Sequence, residues 1–248
     1  MYPDHLLAIP VFNEERYVEA VLAKARHYSR NILVIDDGST DATPDLLQRQ
    51  PDIRVIRHPE NRGYGKSLSD AFDYAQRHAF PWLITMDCDE QHEPECIPCF
   101  LQTAACDNPD VISGTRYPNG HDVDASVPAD RLEINRRITA VINERLGLSI
   151  TDAFCGFKAY RVSALQHIHI TVPGYAMPMQ WWVQVARANL RVIELPIRLI
   201  YKDPTRHFGG LLDDPDVRMA HYVQVFEREL TAPTAAPCRA NRNLPCCP

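Results

Sequence analysis

Residues 82–94 read WLITMDCDEQHEP. A short apolar run, 82–86, leads straight into two carboxylates one residue apart, Asp87 and Asp89. Gln91, His92, Glu93 and Pro94 follow. Such a run predicts a buried strand, and Pro94 suits the opening of a helix. The stretch then delivers two oxygen ligands to the end of a strand. The Asp-x-Asp spacing alone carries little weight, because it recurs at Asp122/Asp124 and Asp214/Asp216. Only the first pair directly follows a strand-like run. Asp122 and Asp124 read as solvated loop residues.

Upstream, residues 6–12 predict a strand, with a turn and helix start at Asn13 or Glu14. Tyr17, Val18, Val21, Leu22 and Ala25 then recur at helical spacing. Residues 32–35 predict a second strand, running into the polar stretch 36–41, DDGSTD. Thr43 reads as an N-cap and Pro44 as the first residue of a short helix to about residue 50. Residues 53–56 predict a third strand. A glycine-rich turn, 61–66, NRGYGK, opens a helix with Leu68, Ala71, Phe72 and Ala75 on one face. Strand and helix alternate with short connections. That order predicts an α/β fold: a Rossmann-like, mainly parallel open sheet with helices on both faces. Ligands of such sheets bind beyond the carboxyl ends of the strands. Asn13/Glu14, Asp36/Asp37 and Asp87/Asp89 all fall there.

Downstream the pattern is less regular. Helices are expected over 94–106, 131–146 (ended by Gly147), 179–190 and from Asp213 or Asp214 to about 230. Strands are expected at 111–114, within 151–160, and over 191–201. Residues 118–128 and 202–212 read as loops. Residues 231–248, rich in Pro, Ala and Cys, read as a flexible tail.

The chain has 248 residues, 45% hydrophobic and 23% charged, with a net charge of −6. This is ample for a sizeable core. No long basic run exists, so nucleic acid is not expected as the main partner. No apolar run approaches the roughly 18 residues of a membrane span, and the N-terminus lacks the pattern of a signal peptide. A cytoplasmic protein is expected, with peripheral membrane association left open. Cys96 and Cys99 form a C-x-x-C, but the adjacent Cys246 and Cys247 are a poor second pair for a zinc site. Cys96 and Cys99 read as small buried residues on one helix face.

Asp87 and Asp89, backed by Gln91, offer hard oxygen ligands for Mg²⁺ or Mn²⁺. Magnesium takes few protein carboxylates and completes its shell with water and substrate phosphates. The pair therefore makes chemical sense with a diphosphate. Asp37 and Glu14 can accept hydrogen bonds from a nucleobase or ribose, or cap helices. Capping is the equal alternative for Ser39, Thr40 and Asp41. Lys66, Arg116 and Arg206 can offset phosphate charge, or be surface residues. No P-loop, no complete G-x-G-x-x-G after the first strand and no G-x-S-x-G elbow occurs.

Taken in order, 9–15 (IPVFNEE), 34–41 (VIDDGSTD), 61–66 (NRGYGK) and 86–89 (MDCD) with Gln91 resemble the family 2 glycosyltransferases. Residues 114–117 (GTRY) and 152–158 (DAFCGFK) are similar to the branch of dolichol- and polyprenyl-phosphate mannosyl- and glucosyltransferases. The resemblance covers about residues 5 to 210. It implies a GT-A fold, a nucleotide-diphospho-sugar donor (GDP- or UDP-sugar) and inversion at the anomeric carbon. It puts Pro10, Phe12, Glu14, Ile35 and Asp37 around base and ribose, and Lys66 near the nucleotide. Asp87, Cys88 and Asp89 fall at the diphosphate and metal, with Gln91 completing the coordination. Arg116 and Arg206 meet the phosphates of donor or acceptor. Asp152 faces the reaction centre and is the first candidate for a base if the acceptor is a hydroxyl. One domain is expected over 1–230, its nucleotide-sugar half about 1–117 and its acceptor half about 118–230.

The branch's usual Arg…Gly-x-Ser-Lys segment is replaced by 206–210, RHFGG. Lipid-phosphate and soluble hydroxyl acceptors therefore both stay open. A non-catalytic nucleotide-sugar-binding protein is the alternative of another class. A sugar-1-phosphate nucleotidyltransferase lacks its expected first loop here. Trp181, Trp182 and Met179 read either as an apolar acceptor surface or as core.

Overall fold

The computed structural model describes residues 3–89, 93–118, 128–198 and 210–233. Within them seven strands form one sheet. In chain order these are β1 (His5–Val11), β2 (Ile32–Asp36), β3 (Arg54–Arg57), β4 (Trp82–Thr85), β5 (Val111–Thr115), β6 (Lys158–Arg161) and β7 (Val192–Pro196). Their order across the sheet is β3-β2-β1-β4-β6-β5-β7. β1 pairs in parallel with both β2 and β4, and β2 in parallel with β3. β6 runs antiparallel between β4 and β5, and β5 pairs in parallel with β7. The sheet is thus mainly parallel, with one reversed strand.

Successive side chains of a strand point to opposite faces. Leu7, Ile9 and Val11 accordingly join one apolar core, and Leu6 and Ala8 the other. Helices α1 (Val18–Ala25), α2 (Thr43–Gln48) and α4 (Ile97–Asp107) feed Val21, Leu47 and Phe100 into the first core. Helices α3 (Tyr64–Arg77), α5 (Ala129–Leu146), α6 (Met177–Arg187) and α7 (Pro215–Thr231) feed Leu68, Ile138, Trp182 and Phe226 into the second. Both layers are needed because the central strands are apolar on both faces, as parallel sheets require. Among the described residues no helix is long and apolar enough to cross a membrane.

Several local expectations change. Thr43 is the first residue of α2 rather than its cap; its amide donates to Asp41 Oδ1 at 2.9 Å. A 3-10 turn, Pro94–Cys96, precedes α4. Cys96 is half-buried and Cys99 exposed, so they do not share a buried face. Trp181, Trp182 and Met179 are all core residues. Asp214 caps α7, accepting from the amides of Asp216 at 2.9 Å and Val217 at 3.0 Å. That pair is therefore a helix start. Asp122, Asp124 and the residues beyond 233 lie outside the described residues.

Candidate active site

A cleft of about 790 Å³ opens along the carboxyl edge of the sheet. The end of β1 and the turns after β1, β2 and β4 supply Pro10, Phe12, Glu14, Asp37, Asp87, Cys88 and Asp89 to its lining. Arg116 and Tyr117 join from the end of β5, Arg131 and Asn135 from α5, and Arg218 and Tyr222 from α7. Ile35, Lys66 and Asp152 do not line it. Ile35 is a core residue of β2. Gln91 and Arg206 lie outside the described residues.

The first two turns are locked to each other. Asn13 takes the left-handed conformation (φ 56°), which Asn tolerates better than most residues. Its Oδ1 accepts from the Thr40 amide at 2.8 Å, and its amide donates to Ser39 Oγ at 2.9 Å. The Glu14 amide donates to Thr43 Oγ1 at 2.9 Å. Asn13, Ser39, Thr40 and Thr43 therefore shape the wall on which Phe12, Glu14 and Asp37 are displayed.

Asp37 is buried, yet it is one of the residues that line the cleft. Oδ1 accepts from the Arg62 amide at 2.9 Å and from His58 Nδ1 at 2.5 Å; Oδ2 accepts from the Gly63 amide at 2.8 Å. A carboxylate oxygen has two lone-pair sites, so Oδ2 keeps one acceptor position beyond these bonds. The carboxylate both fixes the 61–63 turn and retains a place for a ligand donor.

At the end of β4, Asp87 Oδ1 accepts from the Tyr64 hydroxyl at 3.1 Å. Tyr64 lies under Tyr175, with ring centroids 6.3 Å apart and planes 18° from parallel. Behind Asp87 stands Gly156. A β-carbon there would sit 2.4 Å from Asp87 Oδ2 and 2.8 Å from the Tyr64 hydroxyl. The carboxylate is thus cradled between a phenol and bare backbone.

Asp152 is fully buried. Its Oδ2 accepts from Arg116 Nε at 2.6 Å, and its Oδ1 from Arg116 Nη2 and Asn135 Nδ2, both at 2.8 Å. Burial alone would raise its pKa, but the Arg116 charge and these donors outweigh it and hold the carboxyl well below the aspartate range. A carboxylate so engaged and so acidic does not suit the general-base role expected for Asp152. What it does is fix the planar guanidinium of Arg116 by a two-point contact.

The sequence reading missed Arg131, Arg218, Tyr64 and Tyr175. Arg218 is buried; its Nη1 donates to the Leu212 carbonyl at 2.8 Å and its Nη2 to Asp130 Oδ2 at 2.5 Å. One signal was available for it. Arg218, Tyr222, Val225 and Phe226 share the helical spacing of a buried face, and a charge on such a face asks for a reason. Arg131 carried no such mark.

Comparison with known proteins bears on this cleft. The model of the family described as glycosyl transferase family 2 matches residues 7–169. An undecaprenyl-phosphate mannosyltransferase of Micrococcus luteus is 27% identical over 229 residues, covering 88% of this chain and 93% of that one. A polyprenol monophosphomannose synthase of Mycolicibacterium smegmatis is 29% identical over 202 residues, 77% of this chain and 76% of that one. Among solved structures, glucosyl-3-phosphoglycerate synthase from Mycobacterium tuberculosis, in complex with Mn²⁺, UDP and glucosyl-3-phosphoglycerate, superposes with a TM-score of 0.70. It is 16% identical, and the match covers 93% of this chain and 81% of that one. The sheet order, the helices on its two faces and these matches agree: the chain is a glycosyltransferase of GT-A fold and belongs to glycosyl transferase family 2.

Proposed function

We propose that the protein transfers a hexose, mannose or glucose, from a nucleotide-diphospho-sugar to a polyprenyl phosphate, with inversion at the anomeric carbon and a divalent metal at Asp87 and Asp89. The observation that carries this reading is the make-up of one cleft. The strand-end carboxylates Asp87 and Asp89 share its lining with the arginines Arg116, Arg131 and Arg218. The likeness to the two polyprenyl-phosphate enzymes supports the acceptor. Residues up to about 117 would then hold the donor, and those from about 118 the acceptor.

The residues suit a metal of the Mg²⁺ or Mn²⁺ type. Asp87 and Asp89 give two hard oxygen ligands, and Asp87 is held in place by Tyr64. Among the described residues no group of three or more His, Cys, Asp or Glu gathers to hold an ion. The remaining ligands would be water and donor phosphates, the usual arrangement for magnesium. Such an ion, when bound, offsets charge on the departing nucleoside diphosphate. Mn²⁺ in the structural neighbour is a parallel from a fold relative.

Glu14 and Asp37 would receive base and ribose donors, with Pro10 and Phe12 as their apolar floor. Arg116, oriented by Asp152, and Arg131 would hold the acceptor phosphate. A phosphate is already anionic and attacks without losing a proton. The saturated state of Asp152 therefore favours it over a hydroxyl, which needs a base.

The test is a donor panel of UDP- and GDP-sugars with Mn²⁺, followed by nucleoside diphosphate release. We expect release to depend on added undecaprenyl phosphate and a lipid-linked sugar to form. Arg131→Ala should lower kcat/KM for the lipid by about 100-fold, the loss of a charge-assisted contact. Equal release with water-soluble hydroxyl acceptors and no lipid product would reject the acceptor assignment.

A further inference from the structure

Lys66 belongs to the glycine-rich motif yet does not reach the cleft. Its ammonium donates to Asp70 Oδ1 one turn along α3. The other oxygen of Asp70 accepts from His58 Nε2 at 2.8 Å, and His58 Nδ1 faces Asp37 Oδ1 at 2.5 Å. His58 is buried directly after β3, and its amide donates to the Asp36 carbonyl at 2.8 Å. Four side chains thus form one line from the surface of α3 to the edge of the cleft: Lys66, Asp70, His58, Asp37. Burial works against the Asp70 charge, but hydrogen bonds from Lys66 and His58 outweigh it and hold the carboxyl below its ordinary range.

Both ring nitrogens of His58 point at carboxylate oxygens, which accept only. Each nitrogen lies within hydrogen-bond distance of a carboxylate oxygen, so turning the imidazole would break up the contacts it now makes. It contacts Asp37 in the same orientation that receives the Arg62 and Gly63 amides. By hydrogen-bond count Oδ2 then keeps one acceptor position, on a residue that lines the cleft.

We infer that His58, Asp70 and Lys66 are positioning residues for nucleoside recognition: they aim Asp37 at the nucleobase or ribose, and Lys66 touches no phosphate. This rests on the nucleotide-sugar reading and assigns Lys66 a different task from the phosphate contact that its motif suggests.

The two tasks separate by ligand. A lysine on phosphate loses more affinity as phosphates are added; an aimed Asp37 loses the same factor for every ligand that carries the nucleoside. The experiment is titration of uridine, UMP and UDP, with guanosine, GMP and GDP in parallel, by NMR and calorimetry without metal. The proteins are wild type, Lys66→Met, Lys66→Arg, Asp70→Asn, His58→Asn and the double variant His58→Asn/Lys66→Met. We expect Lys66→Met and His58→Asn to weaken nucleoside, monophosphate and diphosphate of the bound series by one common factor, about tenfold, the worth of a charge-assisted hydrogen bond. The double variant should bind no worse than His58→Asn alone, because both changes break one chain. Lys66→Arg should restore binding, since it restores the pair with Asp70. Lys66 is partly exposed, so its variants keep the test alive if His58→Asn fails to fold. A loss for Lys66→Met that grows from nucleoside to diphosphate would overturn the inference, as would additive losses in the double variant. If wild type binds neither series, the nucleotide-sugar reading falls and the inference with it. If wild type binds and the variants bind equally well, only the inference falls.

Discussion

Asp152 shows how a single residue changes meaning once its neighbours are known. It meets Arg116 through two oxygens and takes a further bond from Asn135. Removing one charge of a buried pair leaves the other without compensation. Asp152→Asn should therefore cost about 3 kcal/mol in urea denaturation. The pH dependence carries a sign. The folded carboxyl is held well below its unfolded value, so its contribution is complete above the ordinary aspartate range and is lost as pH falls beneath it. Wild type should lose stability below about pH 4 more steeply than Asp152→Asn. Parallel stability curves for the two proteins over acid pH would contradict the ion pair. Nothing in the sequence separated a free base from a saturated one, because Arg116 and Asn135 reach Asp152 from 36 and 17 residues away.

The elements divide by how their neighbours are chosen. β1, β2 and β4 were legible because each is buried on both faces and reads as an unbroken apolar run. Each also ends in the polar turn that lines the cleft. β6 was legible as a strand but not in direction, because pairing sense depends on where the chain re-enters the sheet. It enters antiparallel beside β4, with Thr85 opposite Lys158. That placement brings the 155–157 turn behind Asp87. Hence the bare backbone at Gly156 matters: an added methyl meets the oxygens of Asp87 at 2.4 and 2.8 Å. These atoms end a short side chain, so the fold can yield where the site cannot. Gly156→Ala should melt close to wild type while its turnover drops by about 100-fold, the penalty for misplacing a reacting group by an ångström. Turnover near wild type in a protein whose Asp87 is undisturbed would reject the cradle. Thr43 failed as a cap for a different reason. Its hydroxyl serves the Glu14 amide, a partner 29 residues away.

In the whole molecule, one edge of the sheet collects groups of opposite charge into a single cleft. The carboxylates arrive on strand ends, so their position follows from topology and was readable as soon as strands alternated with helices. The arginines Arg131 and Arg218 arrive from the first turns of α5 and α7, and long-range packing alone brings them to that edge. This is why the strand-end part of the cleft was visible in the sequence and the helix-borne part was not. Lys66 instead pairs with Asp70 one turn along α3, a contact set by helical spacing. The assignment of the carboxylate pair is open to a single measurement: anomalous X-ray diffraction from crystals grown with Mn²⁺ and a nucleoside diphosphate. We expect a manganese peak touching Asp89 and Asp87 and bridging to the diphosphate, with the base beside Asp37, and no peak in Asp89→Ala crystals. Nucleotide bound in the cleft with manganese elsewhere, or an unchanged peak in Asp89→Ala, would contradict it.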